Sequence, residues 1–206
     1  MSRYPNALTM HRPKAAARGM GVPVALALAL ALSACAASPL ATFDLSAPAT
    51  DLKARVPSNV LAIPEPSAPA PADSDRIMVR TGASAVAVVR GAQWSERLPR
   101  LLQSRLIQTF ENAKLVKSVS RPGDGSSPDR ALAWDVRRFE IDTTEGLAKI
   151  EISVRLLDST GKILAAQIFT GSAPGEAGEG AAAAQSLDEA SHQVLRQIVT
   201  WAASRI

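Results

Sequence analysis

Between Ala148 and Leu156 the side chains alternate without interruption: Ala148, Ile150, Ile152, Val154 and Leu156 are apolar, while Lys149, Glu151, Ser153 and Arg155 are polar. A period of two belongs to a strand, and so clean a split describes a sheet with one covered and one wet face. Something amphipathic must cover that face, and two segments have the spacing for it. From Trp94 onward, Trp94, Leu98, Leu101, Leu102, Leu106 and Phe110 recur at helical intervals opposite Glu96, Arg100, Gln103, Arg105 and Gln108. Ser95 is the expected N-cap, and Pro99 is compatible with this helix only in or near its first turn. Near the C-terminus Leu187, Ala190, Val194, Leu195, Ile198, Trp201 and Ala202 form a second apolar stripe. The expected fold is therefore α+β: an antiparallel sheet with two long amphipathic helices packed on one face.

Further strands fit that sheet. Ile77 to Arg80 and the valine-rich Ala85 to Arg90 flank the turn residues Thr81 and Gly82. Leu132, Trp134 and Val136 share one parity and Phe139 and Ile141 take the other, so an extra residue near Arg137 and Arg138 predicts a β-bulge. Asp158-Ser159-Thr160-Gly161 reads as a hairpin connection into a strand over 163–169. Short strands are expected at 60–63 and 114–119, and Phe43 and Leu45 have strand character, the equal alternative for the stretch before Asp75 being a structureless tether leading into the domain. Five prolines, Pro57, Pro64, Pro66, Pro69 and Pro71, crowd between Leu52 and Asp75, which makes 64–73 a Pro-rich loop. Pro122 to Pro128 reads as an exposed loop and Gly171 to Gly180 as a mobile one.

The amino terminus reads as an address. A basic stretch over residues 1 to 20, with starts available at Met1 and Met10, leads into the eleven-residue apolar run Val22 to Leu32. A spanning helix needs about 20 apolar residues, so this run has the length of a signal sequence and not of a permanent anchor. Leu32-Ser33-Ala34-Cys35 comes at once after it and resembles the lipobox of bacterial lipoproteins. That resemblance implies acylation of Cys35, with palmitate among the chains, and cleavage after Ala34. Residues 1–34 are then a removed signal peptide, and 35–206 form a single periplasm-facing domain tethered by lipid. More than one acyl chain is what makes such attachment stable, at about 0.8 kcal/mol per buried CH₂. Ala36 and Ala37 stand after the cysteine where an inner-membrane retention signal would place aspartate, which favours the outer membrane.

Charge and composition exclude several classes. Four of the 23 basic residues precede Cys35, which leaves 19 against 19 acidic residues in the remainder, too balanced for a nucleic-acid footprint. One cysteine cannot form an internal disulfide, and His192 is the single histidine after Cys35, so a multi-histidine metal site is unavailable. There is no phosphate-binding glycine loop ending in Lys-Ser or Lys-Thr, no G-x-S-x-G elbow and no H-E-x-x-H pair. The expectation is a protein without catalytic residues, metal or cofactor.

The order of motifs resembles the ABC-type transport auxiliary lipoprotein family, which includes PqiC-like proteins and the lipoproteins that accompany MCE-domain (MlaD-like) transporters. The likeness is carried by the lipobox at Cys35, Phe43-Asp44-Leu45, Asp75 to Arg80, Trp94 to Gln103, Arg138-Phe139-Glu140 and Leu157 to Gly161. Phe43 stands where relatives carry a tyrosine. The resemblance implies a cell-envelope subunit that works beside an MCE component and an ABC permease and ATPase moving phospholipid or other lipids between two membranes. It also makes self-association plausible. The alternative reading is a periplasmic lipid carrier with an apolar pocket between sheet and helices.

Among individual residues, His192 would have to serve any Ser-His-Asp triad, but its place in the last amphipathic helix suits a boundary histidine. The pairs Asp135 with Glu140 and Glu140 with Glu151 read as solvated strand residues, not as an acid and base. Trp94, Trp134 and Trp201 read as core, and Arg137 with Arg138 as a solvated basic pair.

Overall fold

Eight strands and two helices succeed one another through residues 39–50 and 59–206, which the computed structural model describes. In order they are β1 (Ala41–Phe43), β2 (Val60–Ala62), β3 (Arg76–Arg80), β4 (Val86–Trp94), α1 (Leu98–Ala113), β5 (Ser118–Ser120), β6 (Arg130–Asp142), β7 (Leu147–Asp158), β8 (Ile163–Pro174) and α2 (Gly180–Ala203). The expected signal peptide, with Leu32, Ser33, Ala34 and then Cys35, lies outside the described residues.

β7 behaves as its alternation requires, with Ala148, Ile150, Ile152, Val154 and Leu156 all buried. It pairs antiparallel with β6 on one side and β8 on the other. The bulge is present as well: the register slips between Val136 and Arg138, so that Val136 faces Ile152 while Arg138 faces Glu151. Trp134 and Phe139 thereby both reach the core despite their opposite parity.

The other half of the sheet departs from the expectation. β6 runs parallel to β2 and to β3, β2 parallel to β5, and β1 parallel to β4, so four of the seven strand pairings are parallel. The wholly antiparallel sheet is thus corrected to a mixed one. The cause is the Pro-rich segment, which does not reverse the chain. It carries β2 onward along the same flank of β6, where Ser67 donates its N–H to the Trp134 carbonyl at 3.2 Å and accepts from the Val136 N–H at 2.8 Å. Ser67 has the donor that its proline neighbours lack, so it supplies one parallel rung between two strands. The surplus length closes in a turn at Pro69, whose carbonyl accepts from Ala72 and Asp73.

α1 starts at Leu98, later than the stripe suggested, with Arg97 at the cap position and Pro99 in the first turn. Trp94 instead ends β4, and Ser95 does not cap; its N–H donates to the Phe43 carbonyl at 2.7 Å. Pro99 sets this start, because a helix beginning at Trp94 would place the ring inside and cost an intrahelical bond. Gln103 fastens α1 to the end of β2 through its Nε2 on the Ile63 carbonyl, 2.8 Å.

The segment read as a mobile loop from Gly171 is also corrected, since Gly171 to Pro174 complete β8. α2 crosses so close at Gly171 that a Cβ there would lie 2.6 Å from the Ala190 carbonyl oxygen. Both helices pack together over the covered side of the sheet, closing one core that includes Trp94, Phe110, Phe139, Phe169, Leu187 and Ile198. Edge-to-face ring contacts join Trp94 to Phe139 at 6.0 Å and Phe169 to Trp201 at 5.6 Å.

Candidate functional site

The described chain begins at Pro39, four residues after Cys35, and its entry segment through Ser46 is fastened to both helices. Arg105 of α1 donates to both carboxylate oxygens of Asp44 at 2.6 Å. Asp188 of α2 receives the Ser46 backbone N–H and the Ser46 hydroxyl, each at 2.7 Å. His192 completes the cluster with Nε2 2.7 Å from Ser46 Oγ. Sequence reasoning weighed His192 but missed Ser46 and Asp188, which are 142 positions apart. The one local signal was the i, i+4 spacing of Asp188 and His192.

These are the residue types of a hydrolytic triad, here gathered around the entering segment. The serine and the aspartate both approach the same imidazole nitrogen, Asp188 Oδ2 lying 3.5 Å from Nε2. The Ser46 hydroxyl lies 2.7 Å from both the Asp188 carboxylate and His192 Nε2, so all three groups converge on the entering segment. The cluster holds the entering segment in place.

On the wet face of the sheet, Glu140 and Asp142 are 5% and 3% exposed, which corrects the reading of Glu140 as a solvated strand residue. Arg80 grips Glu140 at 2.6 and 3.1 Å. Arg138 bridges Glu140 and Asp142 at 2.9 and 3.2 Å, and Lys149 stands 3.5 Å from Asp142. Bulge and register place Arg138, Glu140 and Lys149 on one face, and a buried charge is tolerated only when paired in this way. The Thr144 hydroxyl, then its backbone N–H, Arg138 and Lys149, outweigh desolvation and hold Asp142 down to about 2; the Glu140 hydrogen bond pushes Arg80 up. Arg137 pairs with Glu151, and Asp135 with Arg155 and the Ser67 hydroxyl. Neither proposed carboxylate pair stands free as an acid and base.

Trp94 and Trp134 lie in the core, with Trp134 Nε1 donating to the Pro64 carbonyl at 2.8 Å. Trp201 is also buried, but one side floors an open groove of ≈ 540 Å³ between β8 and α2, lined chiefly by Gln193, Arg196, Gln197 and Phe169. Gln193 caps the outer edge of β8 at Ser172, donating to its carbonyl at 2.9 Å, and Gln197 donates to the Thr170 carbonyl at 3.2 Å. Below these caps the edge carries exposed Ile163, Leu164 and Ile168, and no charged residue occurs from Ile163 to Pro174. Edge strands are commonly blunted by lysine or charge, and this one is not. Among the described residues, no helix is long and apolar enough to cross a membrane and no group of three or more potential metal ligands occurs.

A mixed eight-stranded sheet with two helices on its covered face defines an α+β domain. Similarity narrows this. The chain belongs to the family of ABC-type transport auxiliary lipoprotein components, whose model matches residues 42–199. It is 32% identical over 163 residues to an uncharacterized protein of Bradyrhizobium diazoefficiens, covering 78% of this chain and 44% of that one. The chain thus spans less than half the length of that relative. The crystal structure of a Xanthomonas campestris protein is similar at 30% identity with a TM-score of 0.70, covering 82% of this chain and 95% of the other. A second uncharacterized protein of known structure shares the fold at 13% identity with a TM-score of 0.62, over 80% of this chain and 99% of the other.

Proposed function

We propose that this chain is a non-catalytic, lipid-tethered subunit of an ABC and MCE-type system that moves lipid between two envelope membranes, with Cys35 as the attachment point and the outer membrane as its location. The observation that carries the reading is the pairing of a lipobox at Leu32 to Cys35 with a family match that begins at residue 42. The family match supports a transport assembly; the MCE partner is inferred from the motif resemblance. A non-catalytic role is supported by a serine, aspartate and histidine spent on holding the entry segment. The uncharged lower edge of β8 is the surface assigned to the partner, because its backbone groups beyond the glutamine caps can receive another strand.

The test is recovery of partners by tagged full-length protein under mild extraction. The natural chain is expected to bring an MCE subunit or permease with it, and Ile168→Lys to lose most of that recovery while staying folded. Failure of the natural chain to recover either subunit, with envelope permeability unchanged on deletion, would sink the proposal. Intact mass spectrometry reads the tether separately: an acylated first residue at Cys35 is expected, and a bare thiol contradicts it.

A further inference from the structure

We infer that the tip of the β3–β4 hairpin is a second membrane contact, which rests in the interfacial layer of the bilayer beside the lipidated Cys35. The inference depends on the proposed lipid tether. From Thr81 to Val89 there is no charged residue, and Arg80 and Arg90 bracket the stretch. Val86 and Val88 are 47% and 42% exposed, and Ala83, Ala85 and Ala87 are exposed with them. Two β-branched apolar side chains held in the open on a charge-free arm are unusual for an edge that only meets water.

The topology says what covers this arm. β1 runs parallel to β4 and pairs with it only at Ala92 to Trp94, so the chain enters β1 from the end at which β4 begins. Exposed Leu40 marks that entry. Gln93 pairs with Arg76, and the bulge around Gly91, at φ +71°, folds away the surplus residues so that Val88 and Val86 pair with Met78 and Arg80. They therefore lie only two and four β3 residues beyond that level, about 7 and 13 Å at about 3.3 Å per residue. Cys35 is four residues before Pro39, so in any conformation it lies within about 14 Å of it. That chain length is enough for the acyl chains and the two valines to enter one bilayer surface.

Charges of the strands beside the arm are compatible with that placement, while Glu176 and Glu179, exposed in the β8–α2 connection at the same end of the sheet, keep the contact shallow. Arg80 is neutralised by Glu140, and Glu145 in the adjacent β6–β7 turn is paired with Lys149. Arg90 is exposed and has no ion pair among the described residues, which leaves its guanidinium for lipid phosphate at the rim of the contact. The β7–β8 turn at Ser159 points to the opposite end of the sheet, since Arg130 pairs with Asp158 while Asp142 pairs with Leu147.

The test uses the full chain, produced in its native host and moved into vesicles of phosphatidylethanolamine and phosphatidylglycerol with brominated acyl chains. Because Cys35 is the single cysteine, a thiol-reactive bimane on Val88→Cys reports alone once Cys35 is acylated. The label at position 88 is expected to lose about half its emission to the bromines, as an interfacial side chain should, and a label on Ser159→Cys to lose none. Acylated protein whose position-88 label is indifferent to bromine overturns the arm and leaves the tether standing. So does a label shielded by a second copy, shown by copy-to-copy crosslinking from position 88 without bromine quenching. An intact mass lacking acyl chains overturns the tether itself, and this inference with it.

Discussion

Asp142 is 3% exposed yet ionised, and its surroundings make it a sensor of acid. Its carboxyl is held down to about 2 by the Thr144 hydroxyl first, with Arg138 and Lys149 adding to it, against an ordinary aspartate value of about 3.9. A depressed carboxyl stabilises the folded chain fully above its unfolded value, and that contribution drains away as pH falls through the folded one. Thermal melting of the natural protein is therefore expected to decline between pH 4 and about 2, whereas Asp142→Asn starts lower at neutral pH and declines less across that window. Equal slopes for both proteins would contradict the linkage. Gly171 is constrained by space instead of charge. A Cβ at that position meets the Ala190 carbonyl oxygen at 2.6 Å and Val194 Cγ2 at 2.8 Å, both on the helix packed above. Gly171→Val is expected to cost about 3 kcal/mol in urea unfolding, as overpacking against backbone does.

Among the elements, the Pro-rich connection has the most informative construction. Its prolines remove donors, and its backbone-to-backbone pairing with β6 is confined to Ser67, which uses both its N–H and its carbonyl. Ser67→Pro removes the N–H bond to Trp134 and is expected to destabilise the fold by about 2 kcal/mol. Pro69→Ala leaves the turn carbonyl in place and should change the urea midpoint little. If both variants unfold alike, the rung is not what holds the segment. The same economy explains α1: Pro99 fixes its first turn, so Trp94 is released to end β4 and to meet Phe139 edge-on.

For the whole molecule, the entry segment is the point where the proposed tether joins the fold. Asp44 on Arg105 and Ser46 on Asp188 fasten it to α1 and α2 respectively, so a load on the proposed lipid anchor would be shared by both helices. Replacing both clamps, Asp44→Ala with Asp188→Ala, is expected to lower overall melting by only a few degrees, since the pairs lie at the surface, half-buried except for exposed Asp44. Hydrogen exchange over residues 39–46 should rise at least tenfold in that double variant, because local opening then no longer breaks those bonds. Unchanged exchange there would mean that β1 pairing with β4 holds the segment unaided.

Features carried by periodicity within a few neighbouring residues could be read before the fold was known, apart from where α1 begins and where β8 ends. The alternation of β7, the bulge at Arg137 and Arg138, the two amphipathic helices and the valine-rich hairpin were all legible, because each is written in neighbouring residues. Strand direction was not legible: alternation is the same in a parallel and an antiparallel ladder, and the deciding fact was that the Pro-rich segment runs straight past β6. The Ser46, Asp188 and His192 cluster and the burial of Glu140 were equally hidden, since they join side chains far apart in the chain or on neighbouring strands. Only the folded chain sets which face a charge meets and which partner neutralises it, because the cost of burial is decided by neighbours in space and not in sequence.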